Sequence, residues 1–301
     1  MNAYDLDMLS PEQVEQYRRD GFLVVPGVVA GDELRRLQEA ADRVLAEAVA
    51  HGQELDRVAP VELNADDGFY DWQPDDAGFL YARGANGERV FRRAELMWGR
   101  DPIFRAVTAH PAVLAVNRAV KEDDAVPAND AMVVKMPSAG AAVPWHRDPP
   151  GPPLIEKLGD ASFDFTCDIY LDASTVDNGC VWALPGSHRK DGPADPEDPY
   201  DFAFPGAVAC TAQPGDMLIH STGVLHGSPV NASGALRRTF YVLYVTPEDM
   251  HRGFWDKDAA WLNGQADFLA RASAERAGLG LPDRLPDGVA DTLALGQESL
   301  H

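Results

Sequence analysis

A chain of 301 residues with 45% hydrophobic content has the length and apolar mass for one large domain around a packed core. Its 48 acidic residues outnumber 26 basic ones, and the resulting charge of −22 argues against nucleic acid and against anionic membranes as partners, since both demand clustered Lys and Arg. No apolar run approaches the about 20 residues that cross a bilayer.

The acidic start Met1–Asp7 has neither the basic nor the apolar region of a secretory signal. Three cysteines, Cys167, Cys180 and Cys210, show no C-x-x-C spacing, so a cytoplasmic protein with reduced, buried thiols is expected. Ser10-Pro11-Glu12-Gln13 predicts a capped helix that runs to about Asp20 and stops at Gly21. Phe22–Val25 predicts a short strand. Asp32 then caps a longer amphipathic helix carrying Leu34, Leu37, Ala41, Val44 and Leu45 on its apolar face, with His51-Gly52 as its stop. Residues 52–90 mix Pro, Gly, Asn, Asp and aromatics and predict a long irregular loop, and 91–121 predicts two helices split around Arg100-Asp101-Pro102 and His110-Pro111.

From about residue 130 the texture changes to short runs separated by turn residues. Strands are predicted over 131–136, 143–147, 163–171, 180–184, 208–211, 217–220 and 237–245, with Pro214-Gly215-Asp216 as one of the turns. Such spacing predicts a sandwich or barrel, and the helices on either side make it a jelly roll buttressed by helices. The expected organisation is one mainly β domain: helices over about 10–121, a jelly-roll core over about 130–246, and a C-terminal helical segment over 248–301 that begins near Trp255.

Within that core, Trp145-His146-Arg147-Asp148 holds a histidine and an aspartate two residues apart, on one face of a strand. An imidazole and a carboxylate so placed can share a metal ion. A second histidine from far downstream completes a 2-His-1-carboxylate triad, which leaves open positions on non-haem Fe(II). His226 in Leu225-His226-Gly227-Ser228 is the candidate, with His220 as its rival. Eleven residues past His226, Arg237 opens the last strand, where a buried guanidinium can hold a carboxylate bidentately. Arg238 is one residue out of phase and is expected to face solvent, and a buried Asp168 would need a partner.

These pieces, taken with Asp177-Asn178-Gly179-Cys180, Leu184-Pro185-Gly186-Ser187-His188, the Pro214 turn, Ser228-Pro229-Val230-Asn231 and Arg237-Arg238, resemble the phytanoyl-CoA dioxygenase family of Fe(II)/2-oxoglutarate oxygenases over roughly residues 10–246. The resemblance implies a cupin-like double-stranded β-helix with His146, Asp148 and His226 on iron. It implies Arg237 at the distal carboxylate of 2-oxoglutarate, Ser228 beside it, and Met132 as a further cosubstrate contact. Molecular oxygen is then the oxidant and hydroxylation of an unactivated C–H bond the expected outcome. Asp148 favours oxygenation over halogenation, because related halogenases carry Gly or Ala at that position.

The substrate is expected to be a small molecule, as in natural-product tailoring. Two acidic stretches, 62–83 and 191–201, and the segment Gly151–Asp160 are candidate lids. Acidic loops beside one mouth would suit an amine-bearing substrate. Two other classes stay open on sequence: a metal-dependent cupin-like isomerase or lyase, which needs no Arg237, and a metal-free jelly-roll binding protein.

Overall fold

The structure, a computed structural model, describes residues 9–58, 75–83, 88–121, 125–148, 165–247 and 257–281. It opens with helix α1 (Pro11–Asp20), closed at its start by a Ser10–Gln13 capping box and at its end by left-handed Gly21. Strand β1 (Phe22–Val25) follows. Helix α2 (Gly31–Val58) does not stop at His51-Gly52 but continues through them. The glycine has a packing role there, since a Cβ at residue 52 would lie 2.9 Å from the Tyr81 ring.

The stretch expected to be loop and helix instead contributes a hairpin, β2 (Phe79–Arg83) and β3 (Arg89–Glu95). Three short helices come next: α3 (Met97–Arg100), α4 (Pro102–Thr108) and α5 (Pro111–Lys121). The core strands are β4 (Val126–Lys135), β5 (Val143–His146), β6 (Phe165–Tyr170), β7 (Val181–Ala183), β8 (Val208–Cys210), β9 (Met217–Ser221), β10 (His226–Ser228) and β11 (Arg237–Val245). Helix α6 (Ala259–Gly278) is the last described element and starts on an Asp258 cap, while the start expected near Trp255 lies outside the described residues.

Seven strands pair in the order β1-β9-β6-β11-β4-β3-β2 and four in the order β5-β10-β7-β8, every pair antiparallel. From β5 to β11 the chain passes back and forth between the two sheets, the winding of a double-stranded β-helix, or jelly roll. Period-two alternation divides the large sheet. Phe240, Val242 and Tyr244 of β11 join Phe104, Val107 and Leu37 in an apolar layer under the helices, while Arg237, Thr239, Tyr241 and Leu243 face the space between the sheets. Arg238 does point away from that space, yet not into solvent. It is 6% exposed beneath α2, with Nε and Nη2 on Asp172 at 2.8 and 2.9 Å and Nη1 on Asp42.

The C-terminal helix is tied to this layer by a buried ion pair. Arg276, 1% exposed, donates to both carboxylate oxygens of Glu33 and, at 2.9 Å, to the Ala106 carbonyl. His110 lies against the same carboxylate at 3.6 Å, and its Nδ1 accepts the Ala112 amide at 3.1 Å. Burial, then the Arg276 charge, push its pKa down to about 3. Cys167, Cys180 and Cys210 are free and buried. Among the described residues, no helix is long and apolar enough to cross a membrane.

Truncating Arg276 to Ala strands the Glu33 carboxylate in the core and should cost about 3 kcal/mol of unfolding free energy in urea titration. His110 takes its proton near pH 6.5 when unfolded but only near 3 when folded, so its contribution to stability is complete above pH 6.5 and is lost as the pH falls toward 3. Wild type should therefore lose about 2 kcal/mol more than His110→Gln between roughly pH 6.5 and pH 5. Parallel pH–stability curves for the two proteins would refute this.

Candidate metal centre

Strand pairing brings the histidines together. In the β5–β10 ladder His226 lies directly opposite His146, and their rings sit 4.2 Å apart between centroids. Asp148, two residues beyond His146, leaves the strand with its amide on the Thr222 carbonyl at 3.0 Å. Its carboxylate oxygens are 3.7 Å from His146 Nε2 and 4.0 Å from His226 Nε2. One ligand atom from each of the three residues lies within 4.8 Å of the others, the spacing of a three-point site for one metal ion.

The imidazoles are oriented from behind. His146 Nδ1 bonds the Pro144 carbonyl at 2.8 Å and His226 Nδ1 the Val224 carbonyl at 3.0 Å. A carbonyl only accepts, so each Nδ1 carries the proton and each Nε2 presents a lone pair inward. Burial, then the neighbouring imidazoles, hold both groups below the ordinary histidine range. Gly227 is required between the ligand and Ser228, because a Cβ there would come within 2.9 Å of the Val143 and Pro144 carbonyls.

His220 is close, 4.4 Å from His226 between ring centroids, but it is engaged elsewhere. Its Nε2 bonds the Thr166 hydroxyl and lies 3.4 Å from Asp168, which supplies the partner a buried aspartate needs. Burial opposes the charged form of His220, yet the hydrogen bond and charge of Asp168 outweigh it and raise its pKa.

The cluster opens into a cavity of about 400 Å³ between the sheets, walled by β3, β4, β6, β9 and β11 on one side and β5, β7 and β10 on the other. Arg237 and Ser228 line it as well. The Arg237 side chain is 2% exposed, and its Nε and Nη1 have no hydrogen-bond partner among the described residues. Such an orphaned guanidinium is costly unless a ligand anion completes it. Beside it on β4 stands Lys135, its register partner, which the sequence analysis missed. The Lys135 ammonium donates to the carbonyls of Ala141 at 2.7 Å, Ser228 at 3.2 Å and Pro229, and so pins the segment that follows His226. Burial, then the Arg237 charge, hold its pKa well below the usual lysine range. A lone lysine ending the apolar run Ala131–Val134 was the signal in the sequence.

Two expectations are corrected. Met132 is fully buried in the apolar layer under the helices and does not line the cavity, whereas its neighbour Val133 does. One residue of phase on a strand decides this. The acidic stretch 191–201 is not a lid either. Arg147 grips Asp195 at 2.6 and 2.8 Å, Trp145 bonds the Pro199 and Asp201 main chain, and the Trp145 and Phe202 rings pack at 5.4 Å. Trp145 and Arg147 alternate with His146 and Asp148, so this loop covers the back of β5, and none of 191–201 lines the cavity. Gly151–Asp160 and most of 62–83 lie outside the described residues.

A jelly roll that gathers two imidazoles, a carboxylate and a buried cation around one cavity is the architecture of a metal-dependent oxygenase fold. The chain belongs to the phytanoyl-CoA dioxygenase (PhyH) family, whose model matches residues 17–239. It is 26% identical over 202 residues to the phytanoyl-CoA dioxygenase domain-containing protein 1 of Mus musculus, covering 60% of this chain and 66% of that one, just under two thirds. Among solved structures, AviO1 from Streptomyces viridochromogenes Tue57 superposes with a TM-score of 0.60 at 27% identity, over 80% of this chain and 97% of that one. EctD from S. alaskensis, crystallised with 2-oxoglutarate and 5-hydroxyectoine, shares the fold with a TM-score of 0.59 at 21% identity, over 81% of this chain and 79% of that one.

Anaerobic titration of metal-free protein with Fe(II) should saturate at one equivalent. His226→Ala should weaken metal binding beyond the about 10–100-fold typical of losing an outer-shell partner. His220→Ala should retain one equivalent, and the reverse outcome would exchange the two histidines.

Proposed function

We propose that this chain is an Fe(II)- and 2-oxoglutarate-dependent oxygenase that hydroxylates an unactivated C–H bond of a small molecule. The observation that carries the reading is the buried Arg237 guanidinium, whose Nε and Nη1 have no hydrogen-bond partner among the described residues, in the same cavity as His146, Asp148 and His226. A cupin-like isomerase or lyase would use the three metal ligands but would not need that cation. EctD, which shares the fold, was crystallised with bound Fe in one structure and with 2-oxoglutarate in another.

His146 and His226 would hold the metal through Nε2 and Asp148 through a carboxylate oxygen. Iron(II), when bound there with 2-oxoglutarate and O2, would supply the oxidising power for hydroxylation. Arg237 would bind the far carboxylate of the keto acid bidentately, with the Ser228 hydroxyl beside it. Lys135 keeps the Ser228–Pro229 backbone from moving away from Arg237, and Gly179 lets the Asn178 turn approach, since a Cβ there would meet the Pro229 carbonyl at 2.5 Å. A cavity of about 400 Å³ suits a small substrate, consistent with natural-product tailoring.

Succinate release across a substrate panel tests the activity. Anaerobic addition of 2-oxoglutarate to the Fe(II) protein should produce a weak visible charge-transfer band. Arg237→Ala should raise the KM for 2-oxoglutarate by about 10- to 100-fold while one equivalent of iron still binds. An unchanged KM would remove the assignment of Arg237.

A further inference from the structure

Three hydrogen-bond donors between the two sheets have no partner among the described residues: the Tyr170 hydroxyl, and Nε and Nη1 of Arg237. Strand register makes them neighbours. Tyr170 of β6 stands directly opposite Thr239 of β11, and Arg237 lies two positions before Thr239 on the same face. Arg237 is therefore the diagonal neighbour of Tyr170, a separation that long side chains and aromatic rings bridge. The electrostatics agree. Burial raises the Tyr170 phenol well above the usual tyrosine range, and the Arg237 charge is the next influence, acting to lower it.

The ring of Tyr170 is fully buried and stands just behind the cavity lining that Arg237 shares. It belongs to an apolar cluster with Ala183 of β7, Cys210 of β8 and Leu218 of β9, which fixes it between the sheets. A buried tyrosine ordinarily finds a partner for its hydroxyl, and leaving the donor unmet is costly. The groups around it do not serve. A guanidinium only donates, so Arg237 cannot take the phenol proton. Lys135, paired with Arg237 in the β4–β11 register, is also a donor and is spent on the carbonyls of Ala141, Ser228 and Pro229. Asp168, two positions back on β6, lies against His220 at 3.4 Å. The thiols of Cys180 and Cys210 are raised by burial, and neutral thiols are weak acceptors.

Resting on the proposed dependence on 2-oxoglutarate, we propose that the Tyr170 hydroxyl donates to the far carboxylate of the keto acid alongside Arg237. A carboxylate has two oxygens with about four acceptor positions, enough for the guanidinium, the phenol and the Ser228 hydroxyl together. A proton offered to an anion makes a charge-assisted bond, and withdrawal from water strengthens it. The phenol also adds this donor without adding charge, where Arg237 and Lys135 already repel one another.

Tyr170→Phe tests this, since it keeps the ring and removes only the oxygen. In anaerobic calorimetry on the full chain with Fe(II), the variant should bind 2-oxoglutarate about 10-fold or more weakly while one equivalent of iron still binds. 2-Oxobutyrate, which has the same keto acid end and no far carboxylate, should bind wild type and variant equally, however weakly. Without ligand, the variant should unfold at a temperature no lower than wild type, because the hydroxyl it lacks had no partner to lose. Unchanged affinity for 2-oxoglutarate overturns the proposal. So does an equal loss for both keto acids, which would mean that Tyr170 acts on the shape of the site. A ligand-free variant that unfolds at a clearly lower temperature, or fails to fold, would show the hydroxyl to be bonded within the fold and also overturns it. A loss that follows Thr239→Val and not Tyr170→Phe would move the role to Thr239, whose hydroxyl likewise has no partner among the described residues. Wild-type protein that binds no 2-oxoglutarate would instead overturn the oxygenase reading beneath the proposal.

Discussion

The register of one short ladder governs the site. Because β10 pairs with β5 so that His226 stands opposite His146, two imidazoles separated by 80 positions in the chain become neighbours. A slip of one residue would turn one of them to the back of the sheet. The ladder is only a few residues long, so its register is secured from outside. Gly227 allows the close approach of the Val143–Pro144 backbone, the Ser187 hydroxyl accepts the Leu225 amide at 2.7 Å, and the Lys135 ammonium clamps Ser228 and Pro229. The imidazoles then need only their Nδ1 bonds to Pro144 and Val224 to aim Nε2 at a common point.

Electrostatics divides the molecule into an acidic exterior and a cavity with cations in its wall. Arg237 and Lys135 face each other across the β11–β4 pair, and the two deal with burial in different ways. Lys135 spends its donors on backbone carbonyls and acts on the shape of the site. Among the described residues, Arg237 keeps two nitrogens without a hydrogen-bond partner. Of the two, only the unbonded cation has hydrogen-bonding capacity left for a ligand, which is why it and not the lysine carries the functional reading. Arg92 and Arg93 also line the cavity, by way of a bulge in β3, with Arg93 paired to Glu95.

Opposite the cavity, the large sheet packs its apolar face under the helices, and two ion pairs brace that layer. Arg238 with Asp172 ties the start of β11 to the end of β6, and Arg276 with Glu33 ties α6 to α2. By its alternation, β11 supplies Arg237 to the cavity and Arg238 to the helices.

By itself the sequence determined whatever depends on neighbours a few residues away. His146 and Asp148 share a face because strand side chains alternate, α1 begins and ends where Ser10 and Gly21 say, and β11 runs from Arg237 to Val245. The pattern of short strands with turn residues between them was enough for the jelly roll. Only the tertiary structure decided which covering each face received. It buried Arg238 under α2, turned Met132 into the core, carried α2 past Gly52 to meet Tyr81, and folded the acidic stretch 191–201 behind Trp145. It also produced the bulge at Arg92, in a stretch whose apolar spacing had suggested a helix. Those outcomes hinge on contacts between segments tens to hundreds of positions apart. A local hydrophobic period says that a face exists, and the partner that packs against it says what the face is for.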